Sequence, residues 1–360
     1  MRTTRTVAAV CAAALLVTGT ASAAPVGDPA LAKVQENIDA LVASGAAGVQ
    51  VRVTRDGRVG QVRAGTAVLG TSVPVPFNGR FRIGSITKTF VATATLQLVA
   101  QRKLALDAAV EEYLPGLVDP RITVRQLLQH TSGLHNYTND LPEDPQEILR
   151  TRFRHHEALD LVRAAVAKPP TGEPGAKHSY SNTNYLVVQL LIEKVTGRFW
   201  GEAVKNGVLR PLGLRDTEVP GDNPFIAGPH ARGYLTTTPP VDITELNPTI
   251  AGAGGAMIST NADLDRFLTA LHAGRLLAPA EQAELRKTSA ASPNYGLGIG
   301  TLPTSCGQQL WGHTGGIPGY NSLALATLDG KRRVEMSITT AGPEMSEPAF
   351  LNALDAAICG

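Results

Sequence analysis

The stretch that decides the fold is FRIGSITKTFVATATLQLVA, residues 81–100. Residues 80–83 are predicted to form a short strand that leads directly into a helix beginning near Ser85. From Ile86 to Gln101 the only charged side chain is Lys88, and a helix that is apolar around most of its circumference is buried. The sequence therefore predicts a serine at the N-terminus of a buried helix and a lysine one turn further on.

Ser85 and Lys88 are three residues apart, so they lie on one face of the predicted helix. Burial lowers the pKa of a lysine, because desolvation disfavours the charged form. A neutral amine beside a hydroxyl can activate a serine as a nucleophile, and the helix dipole favours the alkoxide that develops. The structural alternative is that Ser85 caps the helix while Lys88 lies on the surface.

The sequence on either side of this stretch predicts a sheet built from both chain ends. A helix over 28–43 precedes a hairpin of 49–54 and 59–68, with Asp56-Gly57 as its turn. Near the C-terminus, Asp329-Gly330 is another hairpin turn, and a helix over 346–358 ends the chain. The strands predicted in that part are 294–301, 308–313, 319–328 and 331–340.

Residues 106–284 are predicted to be mostly helical, with Pro-Gly turns between the helices. The fold class is therefore α/β (α+β): an antiparallel sheet flanked by helices, with an inserted all-helical lobe. We expect a sheet lobe of about 24–105 and 285–360 and a helical lobe of about 106–284. A crevice between two such lobes is a natural site for a ligand.

The N-terminus is typical of a secretory signal. Arg2 and Arg5 precede an apolar run over 7–17, and an A-x-A pattern ends at Ala23. The alternative is an uncleaved membrane anchor, but the apolar run is too short to span a bilayer. We expect cleavage near Ala23, secretion, and a domain that comprises residues 24–360.

Charge and cysteine content narrow the range of partners. Removal of residues 1–23 takes away two of the 33 basic residues and none of the 31 acidic ones, which leaves no net charge. Nothing favours nucleic acid or an anionic membrane as the partner.

No metal site is expected, because the His155-His156-Glu157 cluster lacks an i, i+4 histidine pair. In an oxidising compartment Cys306 and Cys359 are expected to be bonded, the alternative being two buried thiols.

Two further motifs lie downstream of Ser85. Tyr180-Ser181-Asn182 precedes a helical stretch, and Trp311-Gly312-His313-Thr314-Gly315-Gly316 closes a predicted strand. The Y-x-N pattern also fits Tyr137-Thr138-Asn139, and a loop tyrosine is more often a packing residue than a catalyst. On their own these motifs are weak, and the S-D-N and K-T-G motifs of class A β-lactamases are absent from the sequence.

Taken in order, S-x-x-K, Y-S-N and H-T-G resemble the motifs of the penicillin-recognising serine hydrolases, the β-lactamase and DD-peptidase family. The resemblance is closest to the soluble D-alanyl-D-alanine carboxypeptidases/transpeptidases that actinomycetes secrete. It extends over nearly the whole chain, from about residue 48 to Cys359. The segments that carry it include YLPGL (113–117), RITVRQLLQHTSG (121–133), YSNTNY (180–185), LIEKVTG (191–197), YGLG (295–298) and SCG (305–307).

The resemblance implies a role for each motif residue. Ser85 forms an acyl-enzyme, and Lys88 is either the general base or keeps Tyr180 phenolate-like. Tyr180 moves protons to the leaving group and later helps to activate the incoming water. The resemblance also pairs Cys306 with Cys359 and requires no cofactor. The complete set is Ser85, Lys88, Tyr180 and His313 as catalytic residues, and Asn182, Thr314, Gly315 and Gly316 as substrate-binding residues.

Two of these implied roles concern the substrate directly. The backbone N–H groups of Ser85 and Gly316 are expected to form the oxyanion hole. His313 stands where many relatives carry a lysine, with Thr314 beside it in the binding site.

The sequence departs from the family pattern where the substrate carboxylate is held. The arginine and threonine expected to bind it are replaced by Gly300 and Gly316, and the segment 250–256 lacks the expected tryptophan. Three functions therefore stay open: a D-alanyl-D-alanine carboxypeptidase acting on peptidoglycan stem peptides and acylated by β-lactams, a carboxylesterase or β-lactamase-type acyl hydrolase, or a penicillin-binding receptor that does not turn over.

Overall fold

The computed structural model describes residues 22–23, 28–342 and 346–360. The strands of the described residues are β1 (Ser22–Ala23), β2 (Ala46–Arg55), β3 (Arg58–Gly65), β4 (Phe81–Arg82), β5 (Tyr234–Leu235), β6 (Val241–Asp242), β7 (Ile258–Ser259), β8 (Gly300–Pro303), β9 (Gln309–Ile317), β10 (Tyr320–Thr327) and β11 (Arg332–Thr340). The helices are α1 (Pro29–Ala43), α2 (Thr87–Ala100), α3 (Val124–Leu128), α4 (Pro145–Thr151), α5 (Ala158–Val166), α6 (Thr183–Thr196), α7 (Trp200–Val204), α8 (Arg210–Leu212), α9 (Asn261–His272), α10 (Pro279–Leu285) and α11 (Glu347–Cys359).

The central sheet has the strand order β1-β3-β2-β11-β10-β9-β8. Its strand pairs are antiparallel, apart from the short parallel pair β1–β3. Strand β2 from the N-terminal part pairs with β11 from the C-terminal part, with Val51 opposite Met336. This pairing confirms the predicted fold class, a sheet built from both chain ends and flanked by helices.

The hairpin of β2 and β3 forms as predicted. Asp56 and Gly57 both have positive φ, 48° and 82°, as a two-residue type I′ turn requires. The turn sets the register, in which Arg55 lies opposite Arg58 and Val51 opposite Val62.

One face of the sheet is covered by the two terminal helices. Helix α1 begins at Pro29, and the Asp28 side chain caps it by accepting from the backbone N–H of Ala30. Helices α1 and α11 bury Val34, Ile38, Leu354 and Ile358 against the sheet, each at most 1 % exposed.

The other face is covered by α9, which also holds α2 in place. Asp265 of α9 accepts hydrogen bonds from Arg52 Nε (3.1 Å) and Arg333 Nε (2.6 Å) on the sheet. Phe267 of the same helix stacks on Phe90 of α2, with ring centroids 3.7 Å apart. Helix α2, which follows Ser85, is thus fixed between the sheet and the inserted helices.

The structure corrects two of the sequence predictions. The inserted segment is not all-helical, because it contains the short strands β5, β6 and β7. The strand predicted over 294–301 is β8, which begins only at Gly300. Gly298 has a φ of 69°, a left-handed conformation that interrupts an extended strand before that point.

The predicted secretory signal lies outside the described residues, apart from Ser22 and Ala23. Among the helices of the described chain, none is long and apolar enough to cross a membrane. Cys306 and Cys359 form a disulfide with Cα atoms 5.8 Å apart. It joins the β8–β9 turn to the last residue of α11.

This disulfide can be tested by thiol titration. The chain lacking residues 1–23, denatured without reductant, should show no free thiols, and reduction should release two. In the chain-entropy estimate, a crosslink over 53 residues stabilises the folded state by about 4 kcal/mol. Cys306→Ser with Cys359→Ser should lower the free energy of unfolding by that order and leave labelling of Ser85 unchanged, because the bond lies at the sheet edge. Two thiols before reduction would contradict the assignment.

Candidate active site

Ser85 lies in a single 3₁₀ turn, Gly84–Ile86, between β4 and α2. Gly84 has a φ of 49°, and a Cβ at this position would lie 2.7 Å from the backbone nitrogen of Gly316. Both the conformation and the close approach require glycine. The sequence thereby directs the half-buried Ser85 toward β9 at the start of a buried helix.

Lys88 follows in the first turn of α2 and is completely buried. Its Nζ lies 2.7 Å from Asn182 Oδ1, 2.7 Å from the carbonyl oxygen of Gly254 and 3.0 Å from Ser85 Oγ. Burial lowers the pKa of the amine well below its ordinary value. No carboxylate lies within ion-pair distance of it among the described residues.

The partners of Lys88 decide how a neutral amine is oriented. The oxygens of Gly254 and Asn182 can only accept, so they take the two N–H bonds that a neutral amine has. The remaining lone pair then faces Ser85 Oγ, which can donate its proton to it. The geometry therefore sets up Lys88 as the base that activates Ser85.

Tyr180 completes the contacts of the nucleophile. Its hydroxyl donates to Ser85 Oγ at 2.8 Å. Although the residue as a whole is 37 % exposed, desolvation within the site raises the pKa of the phenol, so it stays protonated at neutral pH, which disfavours the phenolate alternative. Tyr137, the other tyrosine in a Y-x-N pattern, donates instead to the carbonyl oxygen of Ile250 (2.5 Å).

Asn182 is tied to the protein on both sides of its amide. Its Oδ1 accepts from Lys88, while Nδ2 donates to Asn136 Oδ1 and Thr138 Oγ1, both at 3.3 Å. Asn182 also lines the substrate cavity, where the resemblance places it. Sequence reasoning missed Asn136 and Gly254, because a contact through a distant loop or a backbone carbonyl leaves no pattern in the sequence.

Strand β9 passes directly beside the Ser85 turn. A Cβ at Gly315 would lie 2.1 Å from the carbonyl oxygen of Ile83, so only glycine allows this approach. The backbone of Gly316 meets the turn at Gly84 in the same way. This is the close approach that an oxyanion hole made of the N–H groups of Ser85 and Gly316 requires.

His313 lies near the site but makes no hydrogen bond to Ser85 or Lys88. Its Nδ1 contacts the carbonyl oxygen of Thr314, so this nitrogen must carry the proton, and Nε2 accepts from the hydroxyl of Tyr295 at 2.8 Å. Burial lowers the pKa of His313 to about 3. His313 is therefore neutral, unlike the lysine that relatives carry. Sequence reasoning missed its partner Tyr295, while the side chain of Thr314 is exposed.

A cavity of about 400 Å³ opens beside Ser85. Its lining is mainly apolar, with Tyr137, Leu141, Ile148, Ile243, Leu246, Ile250 and Ile317. The charged residues of the lining are Glu147, Arg152 and Arg154. Glu147 already pairs with exposed Arg150 at 2.6 Å.

A serine hydroxyl between a buried amine and a protonated tyrosine, with the glycine backbone of β9 packed against its turn, defines a serine acyl hydrolase. The sheet and its inserted helices have the architecture of the penicillin-recognising enzymes. The chain belongs to the β-lactamase family, whose family profile matches residues 34–358.

Several relatives are similar over most of the chain. Penicillin-binding protein 4 of Amycolatopsis lactamdurans is 30 % identical over 305 residues, 79 % of this chain and 77 % of that protein. A D-stereospecific amidohydrolase from Streptomyces sp. has a TM-score of 0.82 and 39 % identity, over 91 % of this chain and 98 % of that one. The D-amino acid amidase of Ochrobactrum anthropi SV3, complexed with D-phenylalanine, has a TM-score of 0.81 and 25 % identity, over 92 % of this chain and 98 % of that one.

Lys88→Met should abolish acylation of Ser85, because methionine fills a similar space without a basic nitrogen. We expect the rate constant for labelling by a fluorophosphonate to fall by about 10²- to 10⁴-fold, the contribution of a general base. Lys88→Arg should fall as far, since a guanidinium does not release its proton. In the wild type the rate should rise with pH through a titration below 10.5, the ordinary lysine pKa, because the deprotonated amine is the active form.

The controls are Ser85→Ala, which should give no label, and Lys103→Met at an exposed position, which should label normally. Thermal unfolding of each variant shows that it is folded. Near-normal labelling of Lys88→Arg would mean that Lys88 has only a structural role.

Proposed function

We propose that this protein is a D-stereospecific acyl hydrolase that cleaves amides and esters of D-amino acids whose leaving group carries no carboxylate. The observation that carries the proposal is the loss of both side chains that the family resemblance expects to hold a substrate carboxylate. In the described residues, Gly300 and Gly316 stand where the carboxylate-binding side chains are expected. His313 beside them is neutral.

The missing contacts have a large energetic effect. Charge-assisted hydrogen bonds to a carboxylate contribute about 1.5–3 kcal/mol each. Losing two of them lowers kcat/KM for a carboxylate-bearing substrate by about 10²- to 10⁴-fold, at about 1.4 kcal/mol per decade. An amide or ester without that carboxylate never uses these contacts and is unaffected.

The acyl side of the site supports an apolar substrate side chain. Leucine, isoleucine and tyrosine side chains dominate the cavity beside Ser85, and such a lining favours a large apolar group. The D configuration is proposed from the relatives, a D-stereospecific amidohydrolase and a D-amino acid amidase. Amides of D-phenylalanine are therefore the substrates that we expect to be cleaved.

A D-alanyl-D-alanine carboxypeptidase acting on peptidoglycan stem peptides is the second candidate. The similarity to a penicillin-binding protein favours it, as does the presence of Arg152 and Arg154 in the cavity lining. Neither arginine forms an ion pair with an acid of the described chain, so either is available to a substrate carboxylate. Acylation by β-lactams fits both candidates.

Because residues 1–23 have the pattern of a secretory signal, we propose that the enzyme is an exported hydrolase. A receptor that is acylated by penicillin without turnover uses the same serine. Steady release of product beyond one equivalent of enzyme separates a hydrolase from that receptor.

The substrate preference can be measured with four compounds: D-Phe-NH₂, L-Phe-NH₂, D-Phe-D-Ala and D-Phe-D-Ala-NH₂. We expect kcat/KM to favour D-Phe-NH₂ over its L-enantiomer and the amidated dipeptide over the free one, because Gly300 and Gly316 offer the terminal carboxylate no side chain. Ser85→Ala is the inactive control. Preference for the free dipeptide by about 10²-fold or more, the value of a charge-assisted contact, would instead establish the carboxypeptidase. Arg152→Ala and Arg154→Ala would then identify the group that holds the carboxylate.

Gly316→Thr is the variant best suited to restoring a side-chain contact to a substrate carboxylate. A Cβ at this position meets only Asn321 Oδ1, at 3.7 Å, so a threonine fits. It should improve cleavage of D-Phe-D-Ala relative to D-Phe-D-Ala-NH₂. Gly300→Arg is less suitable, because a Cβ there lies 3.2 Å from the ring of Tyr295, the partner of His313.

A further inference from the structure

His130 is a fully buried histidine that the contacts of Ser85 and Lys88 do not include. Its ring lies against the ring of Tyr180, with centroids 4.2 Å apart and the planes inclined by 32°. We propose that His130 is a positioning residue that holds Tyr180 in place to protonate the leaving group. The proposal deepens the serine hydrolase function and does not depend on which acyl group the enzyme prefers.

Two hydrogen bonds attach His130 to the residues on either side of Tyr180. Its backbone carbonyl accepts from the N–H of Ser179 at 2.8 Å. Its ring Nδ1 accepts from the N–H of Ser181 at 3.2 Å. His130 therefore holds the backbone on both sides of Tyr180 through these two hydrogen bonds. It also supports the Tyr180 side chain through the contact between the two rings.

The orientation of the His130 ring is set by a short polar chain. The hydroxyl of Ser132 donates to Asn184 Oδ1 at 2.5 Å. This contact fixes the orientation of the Asn184 amide, whose Nδ2 is then the donor on the other side. That Nδ2 lies 3.0 Å from His130 Nδ1. Because both neighbours of Nδ1 are N–H donors, Nδ1 is unprotonated and the ring proton is on Nε2.

The backbone of His130 shows why this arrangement needs a particular conformation. Its φ is +58°, the left-handed region that residues other than glycine seldom adopt. Such a conformation is strained and persists only where surrounding contacts hold it. In this position the carbonyl and the ring of one residue both reach the segment 179–181.

The other neighbours of the Tyr180 ring are more distant: Lys88 Nζ lies 4.9 Å from its centroid, and the rings of His313 and Tyr295 lie 6.3 and 6.5 Å away between centroids. Tyr180 is 37 % exposed, and its hydroxyl makes one side-chain hydrogen bond in the described structure, to Ser85. A tyrosine this exposed would sample other rotamers if nothing supported its ring. The ring of His130 is the nearest of these neighbours, at 4.2 Å, so the alignment of Tyr180 with Ser85 depends chiefly on the contacts with His130.

The ring of His130 also stays uncharged. Protonating Nδ1 would break both of its acceptor contacts. Burial lowers the pKa of His130 well below its ordinary value. The ring therefore keeps Nδ1 as an acceptor for the N–H groups of Ser181 and Asn184.

The test uses simple acetate esters with leaving groups from p-nitrophenol through phenol to ethanol. A good leaving group departs without a proton, whereas a poor one needs the proton that Tyr180 supplies. Two variants separate the contribution of the acceptor Nδ1 of His130 from that of its ring. His130→Asn keeps an acceptor at the place of Nδ1 and tolerates positive φ, and His130→Phe keeps the ring and removes the acceptor.

For His130→Phe we expect kcat/KM with the p-nitrophenyl ester to stay within about 3-fold, while the ethyl ester loses about 10²-fold, the usual contribution of a general acid. His130→Asn should give the same trend with a smaller loss. Tyr180→Phe should give the steepest dependence on the leaving group. His178→Phe, an aromatic neighbour that does not contact Ser181, should leave the dependence unchanged.

Loss by the same factor for every leaving group would mean that His130 has only a structural role, and would overturn the proposal. An unchanged dependence in both His130 variants would overturn it as well. If Tyr180→Phe itself shows no change with the leaving group, the proton donor is a different residue. If His130→Phe does not fold, as thermal unfolding will show, His130→Asn alone decides the outcome. None of these results depends on whether D-amino acid amides are the substrates.

Discussion

The amine of Lys88 lies between the carbonyl oxygen of Gly254 and the side-chain oxygen of Asn182, and these two contacts determine how Ser85 reacts. A buried amine with no carboxylate partner is most stable without its charge. Two fixed acceptors then use its two N–H bonds and leave its lone pair on the serine. The nucleophile is thus activated by the fold itself, through an amine that has no carboxylate within ion-pair distance among the described residues.

Three separate parts of the chain meet at this amine. Helix α2 carries Lys88 and is held by α9 and the sheet, through the stacked rings of Phe90 and Phe267. Asn182 directly precedes α6, and Gly254 lies in a glycine-rich turn of the inserted segment. The catalytic geometry therefore exists only when both lobes are folded and packed together.

The absence of charge extends beyond Lys88. His313 and His130 are both buried, and the pKa of each is lowered, while Gly300 and Gly316 contribute no side chain. The centre around Ser85 consequently holds neutral donors and acceptors, and the charged residues of the cavity come from the 145–154 region. This distribution suits an uncharged leaving group, which is the physical basis of the proposed preference for amides and esters.

The sequence predicts the parts of this design that arise from local patterns. The apolar run after Lys88 predicts the buried helix, and Asp56-Gly57 predicts the hairpin. The choice of Tyr180 over Tyr137 came from family resemblance, because both tyrosines fit the same short pattern. The contacts of Gly254, His130 and Tyr295 could not be predicted, since each joins segments far apart in the chain and depends on how the helices pack. The misplaced start of β8 has a local cause, the left-handed Gly298, which the alternating pattern does not reveal.

The central claim is that Lys88 is a neutral amine in the folded enzyme. Nuclear magnetic resonance of the protein labelled with ¹⁵N at lysine Nζ tests it directly, with Lys88→Met identifying the resonance. At neutral pH we expect the Lys88 nitrogen to have the chemical shift of a neutral amine, and to move to the ammonium value only on acidification. An ammonium shift at neutral pH that persists up to 10.5, the ordinary lysine pKa, would contradict the account.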